Sequence, residues 1–272
     1  MIIDLHTHSS HSDGQLSPTD LLSRAAEHNV DLLAMTDHDT VNGYADLPGD
    51  LRGVSLISGI ELSTCWQGCN IHVVGLNFDL NSEAIRLAAQ SQTDARARRA
   101  MRIAEALEKQ GITGAWEGAL GQATGDYIGR PHFARHIVAT GRARSMQAAF
   151  KKYLAHGKAG DVKLEWAELS RVIDWIRDAG GLAVLAHPLK YKLTRSRLKR
   201  LVDDFRNLGG QGMEVVSGQQ QFEATHDMAA LCCVKGLLGS VGSDFHEPDR
   251  PWAELGRVAT LPSSVDPVWD HF

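Results

Sequence analysis

The sequence predicts an α/β fold, because short apolar runs alternate with segments in which apolar residues recur at helical spacing. Most of the apolar runs are typical of buried strands, and most of them end in polar residues. The alternation is interrupted once, between residues 86 and 161, by a stretch rich in Ala, Arg and Glu without a comparable strand signal. We therefore expect a barrel or doubly wound sheet from residues 1–85 and 162–272, with a helical insertion at residues 86–161.

Composition indicates an ordinary globular protein with a sizeable core. The chain has 272 residues, of which 43% are hydrophobic and 22% are charged. No apolar run approaches the length of a membrane span, and the N-terminus does not resemble a signal peptide, so we expect a cytoplasmic protein without a membrane partner. No obligate protein partner is evident. Four cysteines without a Cys-x-x-Cys pair are expected to be reduced and mostly buried.

Charge is distributed unevenly along the chain. Residues 86–160 hold 13 Lys and Arg against 5 Asp and Glu, a net charge of +8. The remainder holds 15 against 28, a net charge of −13. A basic helical module is therefore expected to face an acidic one.

Four strands and one helix are predicted before the insertion. Ser17 combines with Pro18 to give a capping side chain and a first-turn proline, so a helix should run from there to about His28. The predicted strands lie at about residues 2–5, 31–36, 54–60 and 71–76.

Three helices are predicted in the insertion and a regular alternation after it. The insertion helices lie at about residues 82–110, 130–141 and 145–154. Strands follow at 182–186, 213–216 and 237–241, and each is preceded by a helix, at 166–178, 197–208 and 223–234 respectively.

Nine polar side chains at these strand ends form a candidate metal centre. Residues two apart in extended backbone point the same way, so His6 and His8 present two imidazoles together. The polar strand ends of a β/α sheet gather at one pole, which adds seven more: Asp13, His38, Glu61, His72, His187, Asp244 and His246.

Nine ligands exceed what one ion needs, so two or three divalent ions are expected, with Glu61 as a bridge. Nitrogen and oxygen ligands fit manganese, the metal we expect, and also iron or zinc. Two members have plain structural alternatives, because His72 suits a strand core and His187 a turn before Pro188. His11 is expected to be a substrate-side or surface histidine.

A family resemblance follows from six motifs in order along the chain. They resemble the PHP superfamily, the polymerase and histidinol phosphatase metallohydrolases. The motifs are His6-Thr7-His8 with Asp13, Thr36-Asp37-His38-Asp39, Gly59-Ile60-Glu61, His72, Ala186-His187-Pro188 and Gly242-Ser243-Asp244-Phe245-His246. The resemblance implies a distorted seven-stranded (β/α) barrel and a trinuclear centre.

The resemblance also implies a ligand set for each ion. His6, His8, Glu61 and Asp244 would hold one ion. Glu61, His72 and His187 would hold a second, and Asp13, His38 and His246 a third.

Such a centre suits phosphoester hydrolysis, because divalent metals activate water and clamp phosphoryl oxygens. Glu61 then serves catalysis as the bridging ligand, and either His246 or a water at the metals protonates the leaving oxygen. Asp37 and Asp39 are candidates for orienting imidazoles, with a solvated loop as the alternative, and Glu214 is a weaker candidate of the same kind.

The insertion is expected to select the substrate. Arg130, His132 and Lys158 are the candidate substrate-binding residues, since a helix beginning at Arg130 would offer an arginine and free amides to phosphate. Other insertion arginines are expected to form a solvated helix face: Arg96, Arg98, Arg99 and Arg102. The aromatic residues Trp116 and Tyr127 are expected to belong to a core rather than to stack on a base.

The insertion resembles the helical module of the PHP branch that contains the 3′,5′-nucleotide bisphosphate phosphatases and a related ribonuclease. That resemblance implies removal of the 3′-phosphate from a nucleoside 3′,5′-bisphosphate, with the 5′-phosphate held by Arg130 and Lys158. The first alternative is a 5′-3′ exoribonuclease acting on short 5′-phosphorylated RNA. Histidinol phosphatase and a noncatalytic PHP module are further alternatives.

Overall fold

The structure, a computed structural model, describes residues 1–123, 128–162 and 166–272. Its centre is a mixed seven-stranded sheet whose strands neighbour one another in chain order. The strands are β1 Ile3–Thr7, β2 Leu32–Met35, β3 Ser55–Trp66, β4 Cys69–Leu76, β5 Leu182–Leu185, β6 Gly212–Ser217 and β7 Leu238–Gly242.

Eight α-helices are found in the described part of the chain. They are α1 Pro18–Glu27, α2 Glu83–Glu108, α3 Ala115–Leu120, α4 Arg130–Ala139, α5 Met146–Ala149, α6 Leu169–Asp178, α7 Arg195–Asn207 and α8 Phe222–Lys235. A π-helical turn at Phe150–Leu154 continues α5. The predicted elements are found in their predicted order, together with a short helix, α3, that was not predicted, and the Ser17 side chain caps α1 as expected.

The sheet curls until its first and last strands meet, which gives a nearly closed barrel. Thr7 at the end of β1 pairs in parallel with Phe245, just beyond β7. The buried Asp4 carboxylate adds to this junction by accepting the amides of Ser243 (2.8 Å) and Gly256 (3.0 Å). The barrel expectation is therefore confirmed.

One pair of strands breaks the expected alternation of strand and helix. β3 continues to Trp66, further than predicted, and turns back directly into β4 through Gln67 and Gly68, both at positive φ. β4 consequently runs antiparallel to both of its neighbours. Hydrophobic periodicity carries no information on strand direction, so the sequence could not show this.

Three apolar clusters hold the described elements together, one of which joins α1 to β2 through Leu22 and Leu33. The barrel strands pack against α6, whose Leu169, Val172, Ile173 and Ile176 are buried as their spacing predicts. The helices between β4 and β5 have a cluster of their own, to which Ile103, Phe133 and Leu154 contribute. The exact domain limits at residues 85–86 and 161–162 stay a prediction.

All four cysteines are free, as expected, but Cys232 is buried while Cys233 is exposed and two others are half-buried. The expectation of mostly buried thiols was therefore wrong, since vicinal residues of a helix point in different directions. Within the described residues, no helix has the length and apolar character needed to span a bilayer.

Candidate metal centre

The first two ligand candidates lie at the end of β1 with their side chains on the same side. His6 is in the strand and His8 follows its last residue, and their Nε2 atoms are 3.1 Å apart. Both side chains are fully buried. The two-residue spacing thus produces the imidazole pair that the sequence predicted.

Glu61 lies in the interior of β3, opposite His38 of the loop after β2. Because β3 extends beyond β2, this interior position reaches the same pole as the shorter strands' ends. Its Oε2 atom faces three imidazole nitrogens: His38 Nδ1 at 3.1 Å, His6 Nε2 at 3.2 Å and His8 Nε2 at 3.3 Å.

The second oxygen of Glu61 faces two further imidazoles. His72 Nδ1 and His187 Nε2 each lie 2.8 Å from Oε1. His72 is near the start of β4, and it reaches this pole because β4 is antiparallel. The structural alternatives for both histidines, a strand core and a simple turn, do not describe these positions.

Two aspartates complete the cluster. Asp244 Oδ1 lies 3.2 Å from His8 Nε2 and 3.4 Å from His6 Nε2. Asp13 Oδ1 lies 3.1 Å from His246 Nε2 and 3.9 Å from His38 Nε2.

The ligand atoms fall into three overlapping groups, within each of which all atoms lie within 4.8 Å of one another. The groups are His6, His8, Glu61 and Asp244; His8, Asp13, His38 and His246; and His38, Glu61 and His72. The groups contain eight of the nine predicted residues, and His187 joins them through Glu61 Oε1, so all nine lie together at one end of the barrel.

Burial and charge set the pKa values in this cluster. Burial acts to lower the pKa of His8, but the neighbouring carboxylates of Asp244 and Glu61 outweigh it and raise that pKa to about 10. Burial acts to raise the pKa of Glu61, yet the surrounding imidazoles, His38 first, hold it well below its usual value. The Glu61 carboxylate is therefore charged, and its negative charge favours protonation of the neighbouring His8 imidazole.

The donor set fits divalent cations. Among the described residues, Glu61 Oε2 is buried and accepts no hydrogen bond, although three imidazole nitrogens surround it. A cation bound by this carboxylate oxygen and by the lone pairs of the imidazoles would give the oxygen the partner that it lacks among the described residues.

Glu214 contacts the cluster directly. One oxygen is hydrogen-bonded to His6 Nδ1, and the other accepts the His187 amide at 2.6 Å. With its proton on Nδ1, His6 turns the lone pair of Nε2 towards the cluster, so Glu214 fixes the tautomer that metal binding requires.

Asp37 and Asp39 are both buried, so the solvated-loop alternative was wrong. Asp37 instead accepts the Ser9 amide at 2.8 Å, and Asp39 accepts the Ser63 amide at 2.7 Å. Asp39 also pairs with Arg96, which is buried rather than solvated. The expectation of a solvated face holds for Arg98 and Arg102, which are exposed.

Arg99 also departs from that expectation. Its guanidinium lies over the Trp166 ring at 5.9 Å, and its Nε donates to the Val162 carbonyl at 3.3 Å. Trp116 packs on the helical cluster, in agreement with its expected core role, and Tyr127 lies outside the described residues. His11 is a surface histidine paired with Asp46 at 2.7 Å.

The start of α4 offers fewer free amides than the sequence suggested. The Gly129 amide donates to His132 Nδ1 at 3.0 Å, and the His132 amide donates to the Gly129 carbonyl. Pro131 has no amide proton. His132 is buried, with its pKa lowered to about 4 mainly by that burial.

Two cavities border the nine-residue cluster at different residues, and a third, of about 180 Å³, lies against His187 and Glu214. The smaller, about 170 Å³, borders His38 and His72 and is lined by Arg130. The larger, about 690 Å³, borders Asp244 and His246. The two share Asp13, Pro131 and Phe150 as a common wall, and Lys158, which is exposed, lines neither.

Sequence reasoning missed two residues here. Asp4, within an apolar strand, has a pKa raised to about 6 by burial and fastens the barrel junction. A charged residue inside a buried strand was the available signal. Lys190 pairs with Asp244 at the wall of the larger cavity, and no sequence pattern marks it.

Comparison with known proteins places this site in a wider context. A family model described as PHP domain matches residues 4–179. The chain is 45% identical over 273 residues to the 5′-3′ exoribonuclease Rnm of Escherichia coli, covering 99% of this chain and 93% of that protein. It is 40% identical over 270 residues to a 3′,5′-nucleoside bisphosphate phosphatase of Chromobacterium violaceum, covering 98% and 95% respectively.

A solved structure from Chromobacterium violaceum, described as an amidohydrolase with bound sulfate and no metal, superimposes with a TM-score of 0.91. It shares 39% sequence identity, and the match covers 100% of this chain and 95% of that one.

Proposed function

The chain belongs to the PHP domain family, and from that premise we propose that it hydrolyses phosphoesters of nucleotides with the help of divalent metals. The observation that carries the proposal is the Glu61 carboxylate, which faces five imidazoles next to two cavities whose walls include Arg130 and Arg135.

The proposed ligand sets are those that the family resemblance implies. His6, His8, Glu61 and Asp244 form one compact group, which supports their holding one ion. Glu61 with His72 and His187 would hold a second, and Asp13 with His38 and His246 a third. Two or three ions are proposed, with manganese first and iron or zinc as alternatives.

Bound metals would supply an activated water and positive charge for the phosphoryl oxygens. Residues of the chain would orient the ligands, add positive charge and supply a proton. Glu214 keeps the His6 tautomer, and Lys190 adds positive charge beside Asp244. His246, at the wall of the larger cavity, or a water beside it would protonate the leaving 3′ oxygen.

The first candidate substrate is a nucleoside 3′,5′-bisphosphate, from which the 3′-phosphate is removed. The smaller cavity supports this, because Arg130 lies on its wall and its volume suits a phosphate better than a whole nucleotide. We propose that Arg130 grips the retained 5′-phosphate, that Lys158 closes over it as part of a basic tip, and that His132 positions Arg130 from the same helical turn.

Arg130→Ala should lower kcat/KM for a nucleoside 3′,5′-bisphosphate about tenfold to a hundredfold, as expected for a lost charged hydrogen bond. Arg102→Ala removes an exposed arginine of α2 and is the matched control. Unchanged kcat/KM in Arg130→Ala would overturn the assignment.

The second candidate is 5′-3′ exoribonuclease activity on short 5′-phosphorylated RNA, which the size of the larger cavity favours. Product length analysis separates the two. A reconstituted hydrolysis panel should also contain histidinol phosphate, since a preference for it would support a histidinol phosphatase. Failure to bind metal after reconstitution would support a noncatalytic module.

The cytoplasm is the proposed location, because four free thiols are usual in a reducing compartment.

A further inference from the structure

We propose that Ser217 is a positioning residue for His187 and acts through water bound in the third cavity. The inference rests on the proposed metal-dependent function and deepens it, since His187 is a proposed ligand of the second ion. Three features carry it: two buried polar atoms without partners, the cavity that both residues line, and the hydrogen-bonding needs of a metal-binding imidazole.

The first feature is a contrast between two imidazoles of the centre. His6 has partners at both ring nitrogens, because Nδ1 is bonded to Glu214 and Nε2 faces Glu61. His187 also turns Nε2 towards Glu61, at 2.8 Å, but its Nδ1 atom is buried and has no hydrogen-bond partner among the described residues. Glu214 contacts His187 through the backbone amide. The ring of His187 therefore lacks the kind of contact that fixes the tautomer of His6.

The chemistry of a metal-binding imidazole defines the missing partner. When a neutral imidazole binds a cation through Nε2, its proton lies on Nδ1, and such histidines almost always donate that proton to an acceptor. Leaving the N–H group buried without an acceptor is unfavourable. The Nδ1 atom of His187 should therefore meet an oxygen that accepts its proton.

Packing restrains the His187 ring without choosing its tautomer. The rings of Tyr191 and His72 lie edge-on to it, with centroids 5.4 Å and 5.3 Å away. The two neutral tautomers have the same shape, so these contacts do not distinguish between them. The hydrogen bond at the second nitrogen decides which tautomer is present.

Ser217 supplies the second unpartnered atom. It is the last residue of β6, and in the part of the chain that the structure describes its buried Oγ atom has no hydrogen-bond partner. Its amide donates to Gln220 Oε1 at 3.4 Å. The Nε2 group of Gln220 donates to the Val215 carbonyl at 2.6 Å and to the Thr225 hydroxyl at 2.9 Å, so both of its hydrogens are already used.

The third cavity connects these two residues. It has a volume of about 180 Å³, and both His187 and Ser217 lie on its wall. A water molecule takes up roughly 30 Å³ in the liquid and needs two to four polar partners, so the cavity has room and partners for water. A water that accepts the Nδ1 proton of His187 can donate to the Ser217 hydroxyl, directly or through a second water.

The other polar groups on this wall are engaged elsewhere. Lys190 donates to Asp244, and the two oxygens of Glu214 bind His6 and the His187 amide. The Ser217 hydroxyl is thus the side-chain acceptor that remains for water in the cavity. Through this water, Ser217 keeps the lone pair of His187 Nε2 directed at Glu61 and the second ion, as Glu214 does directly for His6.

Ser217→Ala removes the hydroxyl and tests the inference by metal binding. In competition with a fluorescent chelator for Mn²⁺, the affinity of one ion should fall about 10- to 100-fold, as is typical when an orienting partner of a ligand is lost. Ser217→Thr keeps a hydroxyl and should restore most of the affinity. Ser263→Ala, which removes an exposed hydroxyl, is the control. Substrate is left out because Ser217 also lines the larger cavity.

NMR spectroscopy of the Zn²⁺-loaded protein with ¹⁵N-labelled histidines gives a signature that a purely structural role would not move. The Nδ1 proton of His187, assigned through its loss in His187→Gln, should change its chemical shift in Ser217→Ala. The Nδ1 proton of His6, which Glu214 holds, should keep its shift. A crystal structure of the metal-loaded wild type should show water within hydrogen-bond distance of His187 Nδ1 and linked to Ser217 Oγ.

Three results would overturn the inference. They are a cavity without water in that crystal structure, a Ser217→Ala protein that binds Mn²⁺ within twofold of the wild type, and equal weakening in Ser217→Ala and Ser217→Thr. Thermal unfolding of the metal-free variants checks that the fold survives. A wild-type protein that binds no Mn²⁺ contradicts the proposed function itself.

Discussion

Glu214→Gln is the sharpest probe of the candidate metal centre, because it changes one atom without changing the shape of the side chain. In the structure, one carboxylate oxygen is bonded to His6 Nδ1 and the other accepts the His187 amide at 2.6 Å. Both contacts need an acceptor. Glutamine provides only one, so one of the two contacts must fail.

Either arrangement of the amide is costly. If the glutamine oxygen keeps the His187 amide, its NH2 group faces His6 and moves the imidazole proton to Nε2, the atom that faces Glu61. If the oxygen faces His6 instead, two donors meet at the His187 amide, which costs about 1–3 kcal/mol. We expect metal affinity to fall about 10- to 100-fold, as is typical when such an orienting partner is lost.

Competition with a fluorescent chelator for Mn²⁺ measures this loss directly, and thermal unfolding of the metal-free variant checks that the fold survives. Glu223→Gln, which removes an exposed charge from α8, is the control and should leave affinity unchanged. A folded Glu214→Gln protein that binds Mn²⁺ within twofold of the wild type would refute the assigned tautomer and the role of Glu214.

Three further predictions concern protons and stability. The pKa of His8 is raised to about 10, so metal binding must displace its proton, and Mn²⁺ affinity should rise about tenfold per pH unit for each proton released. In the metal-free protein this proton stabilises the fold fully below pH 6.5, and the contribution disappears as pH rises through about 10, which urea unfolding at several pH values detects. Asp4→Asn leaves one of the amides of Ser243 and Gly256 without an acceptor and should cost about 1–3 kcal/mol in the free energy of unfolding, whereas an unchanged urea midpoint would contradict that role. Arg96→Ala should destabilise the protein by about 3–5 kcal/mol by stranding a buried carboxylate, while exposed Arg98→Ala stays within about 0.5 kcal/mol, and equal melting temperatures would count against the pair.

The proximity of the nine candidate ligands could be predicted because most of them lie next to a strong local signal. The spacing of His6 and His8 fixes their common direction, and Asp244 and His246 follow a run of apolar residues directly. Glu61 was also identified, but for a partly wrong reason, since it lies inside β3 and not at its end. Its position depends on how far β3 extends beyond β2, which only the paired sheet determines.

What the sequence left open depends on long-range contacts. The amino-acid pattern of α2 resembles a solvated basic helix, and nothing local shows that Arg96 meets Asp39, a residue 57 positions away. The free amides expected before α4 were taken up by His132, a contact that depends on one imidazole orientation. Local spacing therefore predicts the candidate metal ligands. Tertiary packing decides which of the remaining charged side chains and free amides are available to bind a substrate.

The contacts of Asp39 connect the metal centre with the module that carries the substrate-side cations. Asp39 follows His38 and accepts the amide of Ser63, two residues after Glu61, at 2.7 Å. The same carboxylate accepts Gln92 at 3.1 Å and pairs with Arg96, so one buried group joins two ligand-bearing segments to α2. Since α2 packs in one apolar cluster with α4, any shift of this helix moves the walls of both cavities relative to the ligands. The buried pair of Asp39 and Arg96 therefore joins the candidate ligand segments to the helices that contribute walls to both cavities.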